Sequence, residues 1–332
     1  LPLVEASAQE VREWLTPQEI EEAFRLQPRF VRPDVASLRW TLLSTVAPGA
    51  VFLRWVLPRA LAPGQVLLDN WSCSCCSFWA LGAVVAFASA ACRNPGVVPR
   101  AAPRRDQLSA PPPKYVSVNG VQVRQRWCTT CKVHRPLRSK HCSYCDRCVF
   151  RFDHHCTWLG NCVGLGNYRA FLALVTAASL FFGHSMVVTF SVLRAALRAQ
   201  GGLLQHGLLE ALRRLFVAHA TKTFYVAYSL VMFLAFLVLW LYHAIIIACN
   251  LTTNEHVRDY YLARNPYDAT CPDNCRQVFC APYGRPVRIG AEAPARAPEA
   301  TSGIASASAA RQPRAAGGGV QPEPELTPEL NP

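Results

Sequence analysis

Charge is scarce in this sequence, and acid is scarcer than base. Only 17% of the 332 residues are Asp, Glu, Lys or Arg, and 21 acidic residues stand against 34 basic ones. No charged stretch with a short apolar core and a cleavage site opens the chain, and its first residue, Leu1, reads as a truncated or processed start. With 51% hydrophobic residues, so little charge excludes a chain that is disordered throughout, and the length excludes a small disulfide scaffold despite 15 cysteines. The balance points to a membrane protein. Residues 286–332, rich in Ala, Pro, Gly and Glu, are the exception and read as a disordered tail. The formal charge of +13 suits either a nucleic-acid binder or a protein facing an anionic membrane surface, so its location has to decide.

A bilayer core of about 30 Å takes roughly 20 consecutive apolar residues in helix. Four windows approach that. Residues 40–57 are the weakest, with Pro48, Gly49 and Arg54; 71–92 carry no charge and are rich in alanine; 171–193 hold His184 as their one ionisable group; 224–249 hold only His243 and carry aromatic residues at their ends. A buried helix of a soluble protein is rarely this long without charge. Four spans put both termini on one side. The segment 93–169 carries 14 of the 34 basic residues, whereas 58–70 carry only Arg59. The positive-inside tendency therefore places 93–169 and both termini in the cytosol and 58–70 and 194–223 outside, although Arg194, Arg198, Arg213, Arg214 and Lys222 run against the pattern. In the first forty residues, Ser7 with Glu10 and Thr16 with Glu19 are capping patterns that predict two short helices.

Seven of the cysteines fall between Cys128 and Cys162. Cytosolic thiols stay reduced, so metal ligation explains them better than disulfides. Two CxxC pairs, Cys128/Cys131 and Cys142/Cys145, are followed or interleaved by His141, Cys148, His155 and Cys162, which is enough for two tetrahedral sites of the Cys3His kind. Eight ligands use six cysteines and two histidines, leaving one thiol over; spacing does not say which. Cys156 is the natural candidate, because Asp153-His154-His155-Cys156 packs a carboxylate, an imidazole and a thiol into four residues. A cysteine nucleophile needs a base and a group that orients the base, roles that His154 and Asp153 can fill. The competing class is a non-catalytic zinc-bearing membrane scaffold, in which these residues only bind metal. A nucleic-acid zinc finger is excluded by the flanking spans.

The stretch 126–171, with Cys128-x2-Cys131, Arg135-Pro136-Leu137-Arg138, Cys142-x2-Cys145-x2-Cys148, Asp153-His154-His155-Cys156 and Asn161-Cys162-Val163-Gly164-x2-Asn167, closely resembles the cysteine-rich domain of the DHHC-type protein S-acyltransferases. Asn94-Pro95-Gly96 is similar to that family's Asp-Pro-Gly motif, with Asn in place of Asp. Thr252-Thr253-Asn254-Glu255 resembles its Thr-Thr-x-Glu motif, and 265–279 its C-terminal motif, with Asn274 as the structural asparagine. Thr157 departs from a frequent proline, which restores an N–H but removes no catalytic group.

The resemblance implies an α-helical integral membrane protein: four transmembrane helices with a small zinc-bound cytosolic domain between the second and third. The corresponding organisation is a cytosolic N-terminal segment (1–39), helices 1 and 2 (40–92), the cysteine-rich domain (93–170), helices 3 and 4 with a luminal loop (171–249), cytosolic C-terminal motifs (250–285) and the tail (286–332). It implies a protein S-palmitoyltransferase of the endomembrane system, the Golgi or endoplasmic reticulum among its compartments, that passes an acyl group from acyl-CoA to Cys156 and then to a cysteine of a membrane-associated substrate protein, with His154 as base and Asp153 orienting it. Carried over by position, Cys128, Cys131, His141 and Cys148 hold one structural zinc and Cys142, Cys145, His155 and Cys162 the other. Thr252, Thr253 and Glu255 support the catalytic region, Thr253 being the expected partner of Asp153. Arg124, Arg126, Lys132, Arg135, Arg138 and Lys140 are candidates to attract CoA phosphates, and Phe171, Leu174 and Ala178 to line the acyl chain. No nucleic-acid partner is expected.

Overall fold

The computed structural model describes residues 31–101 apart from 42, 45–46, 53 and 55–69; residue 111; 114–261 apart from 200–201; and 264–280. The N-terminal helices expected before residue 31 and the tail expected from 286 lie outside the described residues, as do residues 42, 45–46, 53 and 55–57 of the window 40–57.

Short helices α1 (Val35–Thr41) and α2 (Ala47–Val51) precede a long one, α3 (Asn70–Cys92). Eight short strands follow: β1 (Lys114–Val118), β2 (Val121–Gln125), β3 (Trp127–Cys128), β4 (Val133–His134), β5 (Lys140–Cys142), β6 (Arg147–Val149), β7 (His154–Cys156) and β8 (Asn161–Val163). They form four separate antiparallel pairs of sequence neighbours. Two long helices, α4 (Tyr168–Ala199) and α5 (Gly202–Ala248), and two short ones, α6 (Thr253–Val257) and α7 (Cys271–Phe279), complete the described chain.

Among the described residues three helical segments are long and apolar enough to cross a membrane: Ser74–Cys92, Tyr168–Ala199 and Gly207–Ala248. Their surfaces carry the membrane pattern. Phe78, Leu81, Val84 and Val85 on α3, and Phe224, Val231, Leu234, Val238, Leu241 and Ile245 on α5, are exposed, whereas Ser179, Ser185 and Thr189 on α4 are buried. A continuous exposed apolar stripe suits hydrocarbon, and the buried hydroxyls satisfy themselves on carbonyls three or four residues back. Helix α4 packs against both α3 and α5.

The third and fourth windows are longer as helices than as apolar runs. Helix α4 continues past residue 193 and α5 begins at Gly202, so most of the expected outer loop 194–223 is helical, with non-helical backbone at Gly207 and His219. Hydropathy marks where a helix meets lipid, and the Ala-, Leu- and Arg-rich sequence beyond that boundary continues the helix by propensity.

Two buried asparagines join α3 to the small strands. Asn161 Nδ2 donates to the carbonyls of Ala91 and Arg93, and Asn167 Nδ2 to those of Ala90 and Cys162. These include the last carbonyls of α3, which have no partner within the helix. The following turn is closed by Asn94 Oδ1, which accepts from the N–H groups of Gly96 (2.9 Å) and Val97 (3.0 Å). Asparagine thus makes the bonds that an aspartate would make here. Gly166 lies against this turn so closely that a Cβ would sit 2.2 Å from the Asn94 carbonyl oxygen.

Candidate active site and metal centres

The strand pairs sort the ligand candidates by simple alternation. Neighbouring residues on a strand point to opposite faces, and cross-strand partners share a face. His141 pairs with Cys148 across β5/β6, and His155 pairs with Cys162 across β7/β8. Each pair meets one CxxC turn, so Cys128, Cys131, His141 and Cys148 form one group and Cys142, Cys145, His155 and Cys162 the other, with the ligand atoms of each group within 4.8 Å of one another. Adjacent residues His141 and Cys142 fall in different groups because they lie on opposite faces of β5. The two turns repeat one geometry: Lys132 and Asp146, each following the second cysteine, have φ of 56° and 49°.

Both groups fit zinc. Bonds of about 2.3 Å to sulfur and 2.0 Å to nitrogen in a tetrahedron place S and N about 3.5 Å apart. His141 Nδ1 lies 3.5, 3.4 and 3.8 Å from the sulfurs of Cys128, Cys131 and Cys148. His155 Nδ1 lies 3.6, 3.4 and 3.7 Å from those of Cys142, Cys145 and Cys162. Burial and the neighbouring sulfurs hold the Cys148 thiol above its ordinary value, a conflict that a divalent cation relieves. His141 turns its other nitrogen toward Asp146 at 3.6 Å, and Tyr144 stacks on His155 with ring centroids 4.8 Å apart. The carboxylate is the kind of outer partner that orients a ligating imidazole.

On β7 the same alternation sends His155 to the metal group and turns His154 and Cys156 to the opposite face. His154 and Cys156 are thus two residues apart on one face of a short strand, and His154 Nδ1 lies 2.7 Å from Asp153 Oδ2. Asp153 is 2% exposed and also accepts from the Thr253 N–H (2.8 Å) and hydroxyl (2.7 Å). Burial disfavours its charge, but the His154 imidazole and the Thr253 N–H outweigh burial and hold the carboxyl below its usual range. For His154 burial likewise opposes the charged form, while Asp153 and the neighbouring Cys156 side chain prevail and push it up to about 9. A thiol, an imidazole and an oriented carboxylate in series can generate a thiolate and return its proton, which is the chemistry of acyl transfer to sulfur.

Helix α6 is anchored by Thr252, whose hydroxyl accepts from the Glu255 N–H while Glu255 accepts from the Thr252 N–H, a closed capping box. Glu255 also receives Nε and Nη2 of Arg138, both at 2.7 Å. Arg138 donates further to the Asn250 side chain and carbonyl and lies over the Tyr267 ring. Its side chain is 6% exposed, so the residue grouped with the candidate CoA-binding cations is instead the bolt between the strand module and α6. Arg151 is half-buried nearby and donates to Asn250 Oδ1 at 3.2 Å. Burial and the adjacent Arg138 lower it to about 10. Asn274, fully buried on α7, donates to the carbonyl of Ala248 and to Asp268, tying α7 to the end of α5.

Replacing Glu255 with alanine should leave the Arg138 guanidinium buried without its carboxylate, at an expected cost of about 3–5 kcal/mol. Thermal unfolding of the purified protein reads this. A loss under about 1 kcal/mol would mean that Arg138 reaches other partners at no cost.

These features define a class: a helical protein with helices long and apolar enough to cross a membrane, two Cys3His clusters and a thiol, an imidazole and a carboxylate beside them. Residues 121–260 match the model of the DHHC palmitoyltransferase family. The chain is 37% identical over 202 residues to palmitoyltransferase ZDHHC8 of Canis lupus familiaris, covering 59% of this chain and 24% of that one. It is 37% identical over 201 residues to palmitoyltransferase ZDHHC8B of Danio rerio (59% and 25%) and 35% identical over 213 residues to palmitoyltransferase ZDHHC9 of Bos taurus (57% and 55%). The matches thus span about a quarter of the ZDHHC8-type relatives and about half of ZDHHC9.

The sequence reading left Tyr168 and His243 without a role. The His243 ring lies 6.3 Å from that of His154, Tyr168 is hydrogen-bonded to His243, and the signal available beforehand was one imidazole in an otherwise uncharged window.

Proposed function

We propose that this protein is a protein S-palmitoyltransferase working in two covalent steps. The observation that carries the reading is the placement of His154 and Cys156 on one face of β7, with Asp153 and Thr253 fixing the imidazole. His154 takes the proton of Cys156, and the thiolate attacks the thioester of a fatty acyl-CoA. The C–S bond to CoA breaks, CoA leaves as a thiol, and an acyl-Cys156 thioester remains. A thiol of the substrate protein then attacks that thioester, the acyl group moves to it, and Cys156 is regenerated. Asp153 stays ionised and holds the imidazolium formed in each step.

Cys128, Cys131, His141 and Cys148, and separately Cys142, Cys145, His155 and Cys162, would each hold a structural zinc. The metals supply rigidity to strands that are otherwise only two or three residues long. The reading includes a fourth span in 40–57, the cysteine-rich domain and both termini in the cytosol, and an endomembrane location. Supporting it are the basic residues concentrated in 93–169 and the three long apolar helices. Phe171, which lies edge-on to His154 at 5.2 Å, sits where the start of an acyl chain would pass. The partners are acyl-CoA and cysteine-bearing proteins at the bilayer surface.

The test is incubation of the purified protein with labelled palmitoyl-CoA. Wild type should acquire hydroxylamine-sensitive label and Cys156→Ser should acquire none. Normal labelling of Cys156→Ser would remove Cys156 as nucleophile. A wild type that binds two zinc ions per chain and takes no label would be a scaffold.

A further inference from the structure

His243 is 1% exposed near the cytosolic end of α5, in a segment apolar enough to span a membrane. An imidazole there is costly to bury unless it is hydrogen-bonded, and an ionisable residue inside a span generally marks a working site. Its Nδ1 lies 2.9 Å from the hydroxyl of Tyr168, the first residue of α4, 75 positions away in sequence. The two helices therefore meet through this bond just under β7. Phe171, one turn after Tyr168, is edge-on to both imidazoles, with ring centroids 5.0 Å from His243 and 5.2 Å from His154. The His154 and His243 rings are 6.3 Å apart, and His243 is within electrostatic reach of the Asp153 carboxylate. Asp153 holds His154 through Nδ1 alone, and one hydrogen bond leaves a ring free to tilt about it. The wall of Phe171 and His243 restricts that tilt, and Tyr168 fixes the wall.

We propose that Tyr168 and His243 are positioning residues for acyl transfer: the phenol locks the His243 imidazole, and His243 with Phe171 holds the His154 ring in the plane from which it meets Cys156. The inference rests on the acyltransferase reading and adds to it two residues that never touch the thioester. Misplacing a reacting group by a fraction of an ångström slows a step without weakening substrate binding. The pair should therefore act on the maximal rate alone.

The experiment compares wild type, Tyr168→Phe, His243→Leu and His243→Gln in single-turnover labelling of Cys156 by palmitoyl-CoA over a range of concentrations, with zinc content measured on each. Tyr168→Phe keeps the ring and loses only the hydroxyl. Its maximal labelling rate should fall about tenfold, with the half-saturating acyl-CoA concentration within about twofold of wild type and the zinc content unchanged. His243→Leu should fall at least as far. His243→Gln, whose amide oxygen can accept from Tyr168, should recover most of the rate. Wild-type rates in Tyr168→Phe and His243→Leu would overturn the proposal. So would glutamine performing no better than leucine, or losses that follow zinc release or a raised half-saturating concentration, which are the marks of plain packing. Absence of label in wild type would instead bring down the acyltransferase reading, and the positioning role with it; full labelling of Tyr168→Phe brings down only the positioning role.

Discussion

Removal of metal by a strong chelator should unfold residues 127–163 while leaving α3, α4 and α5 helical. Strands of two or three residues joined in isolated pairs bury too little to persist alone, and a two-stranded ribbon is marginal even when longer. The buried side chains around them are largely the ligands themselves: Cys128, Cys131, Cys142, Cys148 and Cys162 make up half or more of the two small apolar clusters of the module. Structural zinc supplies about 10–16 kcal/mol of apparent folding free energy in comparable small modules, more than any other interaction available to this segment. The long helices keep their own backbone hydrogen bonds in the bilayer and do not depend on the metal. Hydrogen exchange before and after chelation separates the two regions, and the thiols of Cys128 and Cys162 should become reactive to maleimide only after it. Persistent protection of β5 to β8 in metal-free protein would show that the ligands are held by packing.

How much of this was legible in the sequence depends on the range of the interaction. The number of ligands was readable because CxxC spacing is local, and the separation of Cys156 from the ligand set was suggested by a count. The partition of ligands between sites was not readable from spacing, because it follows from strand register: His141 opposite Cys148, His155 opposite Cys162. Strands this short show no period from which a register can be inferred. Arg138 illustrates the opposite failure. In sequence it belongs to a run of basic residues and reads as a surface cation, yet its partner Glu255 lies 117 positions away and the pair is sealed from solvent. Buried charge pairs leave no local trace. Apolar windows located the long helices well but understated their ends, since hydropathy falls where lipid ends and helix propensity does not.

Asp153→Asn should slow formation of the acyl-enzyme by about 10³–10⁴-fold in a protein that folds and keeps its zinc. The substitution is nearly isosteric, so the effect has to come from hydrogen bonding. Three donors converge on the Asp153 carboxylate: the N–H and the hydroxyl of Thr253, and Nδ1 of His154. A carboxylate accepts all three, whereas an amide has one accepting oxygen and must turn its NH2 toward one or two of these donors. If the amide oxygen serves Thr253, the NH2 group faces Nδ1 of His154, which then has to accept. The proton moves to Nε2, and His154 can no longer take one from Cys156. If the oxygen serves His154 instead, the Thr253 N–H is stranded at the start of α6 and the imidazolium formed in the reaction still lacks its counter-charge. The first arrangement removes the base from the nucleophile and the second leaves its charged form unsupported, and neither moves it. Single-turnover labelling with palmitoyl-CoA should therefore show a slow rise to full stoichiometry, unlike the absent labelling of Cys156→Ser. A rate within about tenfold of wild type would mean that the carboxylate only packs the junction between β7 and α6, and that Cys156 is activated by some other group.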